Sequence, residues 1–157
     1  MGIYQEAFQH FVWATRKREP FITDPVERVL YRYIRHRCTD SRVIVFALNG
    51  MPDHVHLVVS LPAVLAPAKF VNEIKGASAH FINHSPQTSS LTDCLYWQEG
   101  YGWLSSDLEG LPRVTNYVDH QKERHATGRL SKKMEYTTDW EAHSESREAG
   151  VFGVRAD

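Results

Sequence analysis

The chain has 157 residues, of which 42% are hydrophobic and 24% charged, a size and balance that suit one globular domain with a real core and argue against a disordered or fibrous chain. No run approaches the roughly 18 uninterrupted apolar residues of a membrane span, and the opening MGIYQEAFQH lacks a signal-peptide pattern. Cys38 and Cys94 are too far apart in sequence to indicate a disulfide framework or a thiolate metal site, so a cytoplasmic protein with free thiols is expected. The net charge of −1 hides an asymmetry: residues 134–157 hold six acids against Arg147 and Arg155, which leaves +3 for residues 1–133. A mildly basic body is compatible with phosphate contacts, although charge clusters are more often solvated faces.

Taken in chain order, residues 4–15 read as a first strand, being aromatic and β-branched with partial alternation. After the basic loop RKREPFITD, Asp24 is placed as an N-cap before Pro25. Val26, Val29, Leu30, Tyr33 and Ile34 then fall on one face of a helix over 25–37. Residues 42–48 and 54–61 are apolar strands joined by the turn Asn49-Gly50-Met51-Pro52-Asp53, an antiparallel hairpin on composition. A second helix is predicted over 66–84, with Phe70, Val71, Ile74, Ala77, Phe81 and Ile82 as its buried stripe. Following a polar loop over 85–93, residues 95–107 read as a loop and a last strand. A third helix over 112–127 has Pro112 in its first turn and Gly128 as its stop.

The order β-α-β-β-α-β-α predicts an α+β fold: a ferredoxin-like or RRM-like antiparallel sheet with helices on one face and an added C-terminal helix. Residues 1–130 form the expected domain. Residues 131–157 read as an acidic, loosely ordered tail in which Trp140 and Phe152 are docking candidates.

Two residues in the fourth predicted element carry chemistry. His54 and His56 are two apart on a predicted strand, so period-two geometry puts both imidazoles on one face, about 7 Å apart at the backbone. Val55, Leu57 and Val59 take the opposite, core-forming face, which leaves the histidines towards solvent or a cleft. Such a pair can converge on one divalent ion. In a chain with nine histidines, chance spacing is the competing explanation.

On the third helix, Val114, Tyr117, Val118, Gln121 and His125 form a stripe. Tyr117 and Gln121 are one turn apart on one face. A glutamine inside an apolar stripe needs partners if buried, and a metal ion, DNA or simple surface exposure each account for it.

Four segments together are more specific. Met51-Pro52-Asp53-His54-Val55-His56-Leu57-Val58-Val59, Lys75-Gly76-Ala77-Ser78 with Phe81-Ile82-Asn83, Trp97-Gln98-Glu99-Gly100-Tyr101-Gly102, and Tyr117-x-x-x-Gln121 occur in this order over about residues 5–130. In this the chain resembles the single-tyrosine HUH transposases of IS200-like elements, particularly those associated with repetitive extragenic palindromes (REP).

The resemblance implies a metal-dependent strand transferase of single-stranded DNA, with His54, His56 and Gln121 as ligands of Mg²⁺ or Mn²⁺. Tyr117 is the implied nucleophile, forming a 5′-phosphotyrosine. It also implies DNA with hairpin ends as partner, and a homodimer with composite sites in which the tyrosine helix meets the other subunit's histidines. His120, Lys122 and His125 are open candidates for deprotonating the phenol. Arg16, Lys17, Arg18, Arg28 and Arg32 are candidate phosphate contacts, and Trp97, Tyr101 and Trp103 are stacking platforms or core. Glu99 stands where the family often has a basic residue, which weakens a DNA contact there. Two other classes stay open on the residues: a non-catalytic RRM-like module that binds single strands, and a metal phosphoesterase that uses water.

Overall fold

The computed structural model describes residues 2–88, 90–91 and 94–137. The expected tail beyond residue 137, with Trp140 and Phe152, lies outside the described residues. The elements are β1 (Phe8–Ala14), α1 (Asp24–Asp40), β2 (Ile44–Met51), β3 (His54–Ser60), α2 (Pro67–His84), β4 (Gly102–Ser106), α3 (Leu111–Asp119), α4 (Gln121–Thr127) and α5 (Lys132–Glu135). The strands form one antiparallel sheet in the order β2-β3-β1-β4. This is the ferredoxin-like α+β arrangement that the element order predicts.

Alternation along β1 and β3 sorts the sheet into two unlike faces. Residues opposite each other in an antiparallel pair share a face. Phe11 pairs with Leu57 and Trp13 with Val55, while His10 pairs with Val58, Val12 with His56 and Ala14 with His54. The first set is buried under α1 and α2, whose stripes Val26, Leu30, Ile34 and Phe70, Val71, Ile74, Ile82 complete the main core. Tyr33 of α1 stacks on Phe81 of α2 with ring centroids 4.2 Å apart. The other face is covered by α3, through Leu111, Val114 and Val118 against Phe8, Ala47 and Val58.

Three local details differ from the sequence reading, each for a physical reason. Thr23 rather than Asp24 caps α1, so Asp24 lies in the first turn, where its charge suits the helix N-terminus. The hairpin turn is shorter than expected because β2 runs through Met51 and pairs with His54. Gly50 permits this closeness, since a Cβ there would stand 2.2 Å from the His54 carbonyl oxygen. The third helix is not continuous: His120, at φ −104° and ψ 24°, separates α3 from α4. Gly128 is the stop that the sequence predicts, ending α4 at φ 72°, in the left-handed conformation.

Two of the sequence motifs turn out to be tied together. Lys75 of α2 is buried, and its ammonium donates to the carbonyls of Gln98 at 2.8 Å and Gly100 at 2.7 Å. The lysine thus fixes the Trp97–Gly100 connection that leads into β4. Trp97 packs edge-on against Trp13, and Tyr101 against Phe11, so both belong to the core side. Trp103 is 54% exposed.

Candidate active site

The histidine face of the sheet carries the chemistry. β1 contributes His10 and β3 contributes His54 and His56, and the covering helices bring Tyr117, Gln121 and His125. Of the expected solvent or cleft, the structure shows a cleft: His54, 2% exposed, lines one, while His56 is fully buried behind it. The apolar stripe of α3 needs a surface to cover. Phe8, Ala47 and Val58 on this face provide one, which brings the helix down beside the imidazoles.

The two imidazoles are fixed from behind. Asp53 Oδ1 lies 2.7 Å from His54 Nδ1, so that nitrogen donates to the carboxylate and, in the neutral imidazole, Nε2 carries the lone pair. His56 Nδ1 lies 2.9 Å from His10 Nε2, and the two rings stack. Among the described residues His56 Nε2 is buried without a well-formed hydrogen bond. The tautomer in which His56 Nδ1–H donates to His10 therefore leaves a second lone pair beside the first. Two imidazole lone pairs held from behind by hydrogen bonds are the usual environment of metal-ligating histidines.

In front of both lies a carboxylate that the sequence reading did not pick out. Glu135 Oε2 is 3.2 Å from His54 Nε2 and 3.3 Å from His56 Nε2. Its other oxygen, Oε1, accepts a short hydrogen bond from the Tyr117 hydroxyl and a longer one, 3.3 Å, from the Gln121 amide. The Tyr117 oxygen in turn accepts from the Ser131 backbone N–H at 3.1 Å, and the Arg124 guanidinium lies over its ring at 4.7 Å.

Gln121 is fully buried; its carbonyl oxygen is 3.4 Å from His54 Nε2 and 3.1 Å from His125 Nε2. The break at His120 therefore does not separate Tyr117 from Gln121: both reach the histidine pair, and both within one chain. The composite arrangement is not needed to bring these four side chains together.

Electrostatics follow from burial and from this carboxylate. Burial holds His56 down to about 4, only partly offset by Glu135. Burial, reinforced by His56, holds His10 down to about 3. Burial also opposes the charged form of His54, but the hydrogen bonds to Asp53 and Glu135 outweigh it and raise its pKa. For Glu135 burial works against ionisation, yet the bonds from His54 and His56 win and keep it well below the usual carboxylate range. Burial and the Glu135 bond push the Tyr117 phenol up to about 12.

The site opens through a cleft of ≈ 480 Å³ lined by Arg18, Pro52, Asp53, His54, His125 and Glu135 among others. Arg18 sits at this opening, 3.8 Å from Asp53 and 3.4 Å from the Thr137 hydroxyl. Arg16 lies over the Tyr96 ring at 4.3 Å and Lys17 is exposed. Arg28 and Arg32 are exposed on α1, in the layer across the sheet from the histidines, and are not brought to the site. Of the candidate bases, His120 is exposed with Nδ1 on the Asn116 carbonyl. Lys122 is engaged by Glu27, Asn49 and the Gly50 carbonyl. His125 is 3.6 Å from Glu135 Oε1. It is Glu135 itself that touches the phenol.

The model of the family described as "Transposase IS200 like" matches residues 4–121. The chain belongs to this family. As an IS200-like transposase it is a DNA-cleaving enzyme of DNA transposition. It is similar to the ISDra2 transposase TnpA of Deinococcus radiodurans, at 26% identity over 124 residues that cover 78% of this chain and 88% of the relative. A solved transposase structure from Deinococcus radiodurans matches with a TM-score of 0.60 and 25% identity, covering 77% of this chain and 95% of that one. A REP-associated tyrosine transposase bound to a REP hairpin has the same fold, with a TM-score of 0.58 at 15% identity, covering 100% of this chain and 93% of that one.

The matched span contains His54, His56, Tyr117 and Gln121; Glu135 lies beyond it. No sequence period marks Glu135, and only its position a few residues after a helix stop sets it apart from the other acids of the tail.

Proposed function

We propose that this transposase cleaves and rejoins single-stranded DNA by single-tyrosine strand transfer, acting in the cytoplasm on DNA with hairpin ends. The observation that carries this reading is the convergence of the Tyr117 hydroxyl and the His54 and His56 Nε2 atoms on the two oxygens of one carboxylate. The hairpin-bound relative supports the choice of substrate.

The Tyr117 oxygen attacks the scissile phosphorus in line. A bond from phosphorus to the phenolic oxygen forms as the bond to the 3′ oxygen breaks, leaving a 5′-phosphotyrosine and, after uptake of a proton from water, a free 3′-hydroxyl. The hydrogen bond to Glu135 Oε1 orients the phenol, whose proton is released to solvent as the new ester bond forms. Because the phosphodiester energy is kept in the adduct, a 3′-hydroxyl can attack it and restore a strand. Arg18 at the cleft is placed to meet a phosphate, and His54, His56 and Gln121 are the donors that would hold Mg²⁺ or Mn²⁺. Such an ion supplies charge stabilisation at the phosphate oxygens.

A labelled single-stranded hairpin oligonucleotide incubated with Mg²⁺ or Mn²⁺ is expected to give a covalent protein–DNA adduct on denaturing gels, lost in Tyr117→Phe and in His54→Ala. Cleavage that survives Tyr117→Phe would mark a water-using phosphoesterase. Binding without cleavage under either metal would mark a non-catalytic RRM-like module.

One chain supplies every donor, so each site is proposed to work in cis. A homodimer would join two such sites rather than complete them. Mixing Tyr117→Phe with His54→Ala decides the matter, since composite sites would regain about a quarter to a half of the activity through mixed dimers and cis sites none.

A further inference from the structure

We propose that Glu135 is itself a ligand of the divalent cation, so that a carboxylate from the segment after α4 joins His54, His56 and Gln121 around the ion. This rests on the reading above that His54 and His56 bind an ion. The resemblance supplies only neutral donors, two imidazoles and the Gln121 amide. The structure places a carboxylate nearer to both imidazole nitrogens than that amide. Glu135 Oε2 stands 3.2 and 3.3 Å from the two Nε2 atoms, against 3.4 Å from Gln121 Oε1 to His54 alone. Gln121 Oε1 is also shared with His125 at 3.1 Å. Ligand atoms of His54, His125 and Glu135 lie within 4.8 Å of one another, which leaves His125 as a further nitrogen at the edge of the centre.

The donor chemistry points the same way. Mg²⁺ and Mn²⁺ are hard ions that favour carboxylate oxygen, and an anionic ligand adds Coulomb attraction that an amide lacks. Glu135 Oε2 faces both imidazole Nε2 atoms, so all three could reach one ion. The segment is also held in position. Met134 is buried in the cluster beneath α3, and Thr137, 1% exposed, accepts a hydrogen bond from Arg18. Gly102 of β4 lies so close beneath that a Cβ would stand 2.0 Å from the Tyr136 carbonyl oxygen. A cation bound by Glu135 therefore clamps α5 over the histidine pair.

The test is Mn²⁺ titration calorimetry on the full, chelator-treated chain. The wild type is expected to bind one Mn²⁺, Glu135→Gln to bind it at least tenfold more weakly, and Glu135→Asp to fall between. Gln121→Ala is expected to lose less than Glu135→Gln. A wild type that takes up no Mn²⁺ would sink the metal reading itself. Wild-type binding left unchanged or tightened in a folded Glu135→Gln protein would sink only the assignment of Glu135.

Trypsin provides a measurement that needs no variant. Cleavage at Lys132 and Lys133, both exposed on α5, is expected to slow several-fold when Mn²⁺ is added. An unchanged rate would overturn the clamp.

Discussion

The two faces of the sheet are built from the same strands by different rules. Phe11, Trp13, Val55 and Leu57 pack against α1 and α2 as a dry apolar layer. One residue along each strand, His10, His54 and His56 meet Tyr117, Gln121 and Glu135 in a layer of hydrogen bonds. The apolar side gains from area removed from water. The polar layer gains little net, because each bond replaces one made to water, and this face draws its stability from the apolar patch of Phe8, Ala47 and Val58 under α3. Stability and chemistry are thereby divided between opposite sides of β1 and β3, and a change on one face should leave the other largely intact.

The largest stability effect should come from the dry face. Leu57→Ala is expected to cost about 2–5 kcal/mol in urea unfolding, with metal affinity of the surviving folded protein kept within a few-fold. A loss confined to metal binding would break the division.

Next comes acidity. In chelator-treated protein His10 and His56 stay neutral down to about 3 and about 4, whereas in the unfolded chain they take up protons near 6.5. Unfolding then binds protons, so the stability these two histidines contribute should be full above 6.5 and fall as pH drops from 6.5 towards 4. The raised pKa of His54 has the opposite sign, but acts only above 6.5. The urea midpoint followed across this window reads the effect, and His10→Phe should flatten it. An equally steep fall in that variant would move the cause away from the histidine face.

A thiol comparison sharpens the burial contrast. Cys38 lies in the apolar layer, where burial pushes its thiol up to about 12, while Cys94 is exposed. Iodoacetamide should modify Cys94 in the native protein and Cys38 only after denaturation, as peptide mass mapping would show.

The smallest change expected is Lys122→Met. This half-exposed cation bridges α4 to Glu27 at 3.0 Å, and its loss should cost no more than about 1 kcal/mol. A drop of several kcal/mol would mean that the covering helices carry as much stability as the dry face.

The dry face was legible in the sequence because period-two and helical patterns state which side chains must be hidden, and nearly all of those do pack together. The histidine pair was legible for the same reason, being on the other parity of a strand whose apolar side was plain. Its burial was not, because that depends on what α3 covers, a tertiary matter. Tyr117 stood out among seven tyrosines through resemblance alone, and Gln121 as a polar residue in an apolar stripe.

Three features left no trace. His10 is one polar residue in an alternating strand, which any half-exposed strand would show. The bend at His120 follows no Pro or Gly. Glu135 lies in a short helix within an acidic, aperiodic segment, and proximity across the fold is what gives it importance.

Asn49 shows what holds the Tyr117 helix in register. Its amide donates to the Asp119 carbonyl at 3.1 Å, where α3 ends, and accepts from Lys122 at 3.0 Å, where α4 begins. It is also the residue paired with His56 across the hairpin. One side chain therefore works as a ruler, with its zero at His56 and its mark at the bend. If the helix slid by a single residue, about 1.5 Å along its axis, both bonds would be lost. A pull along α3 would load both of these Asn49 bonds.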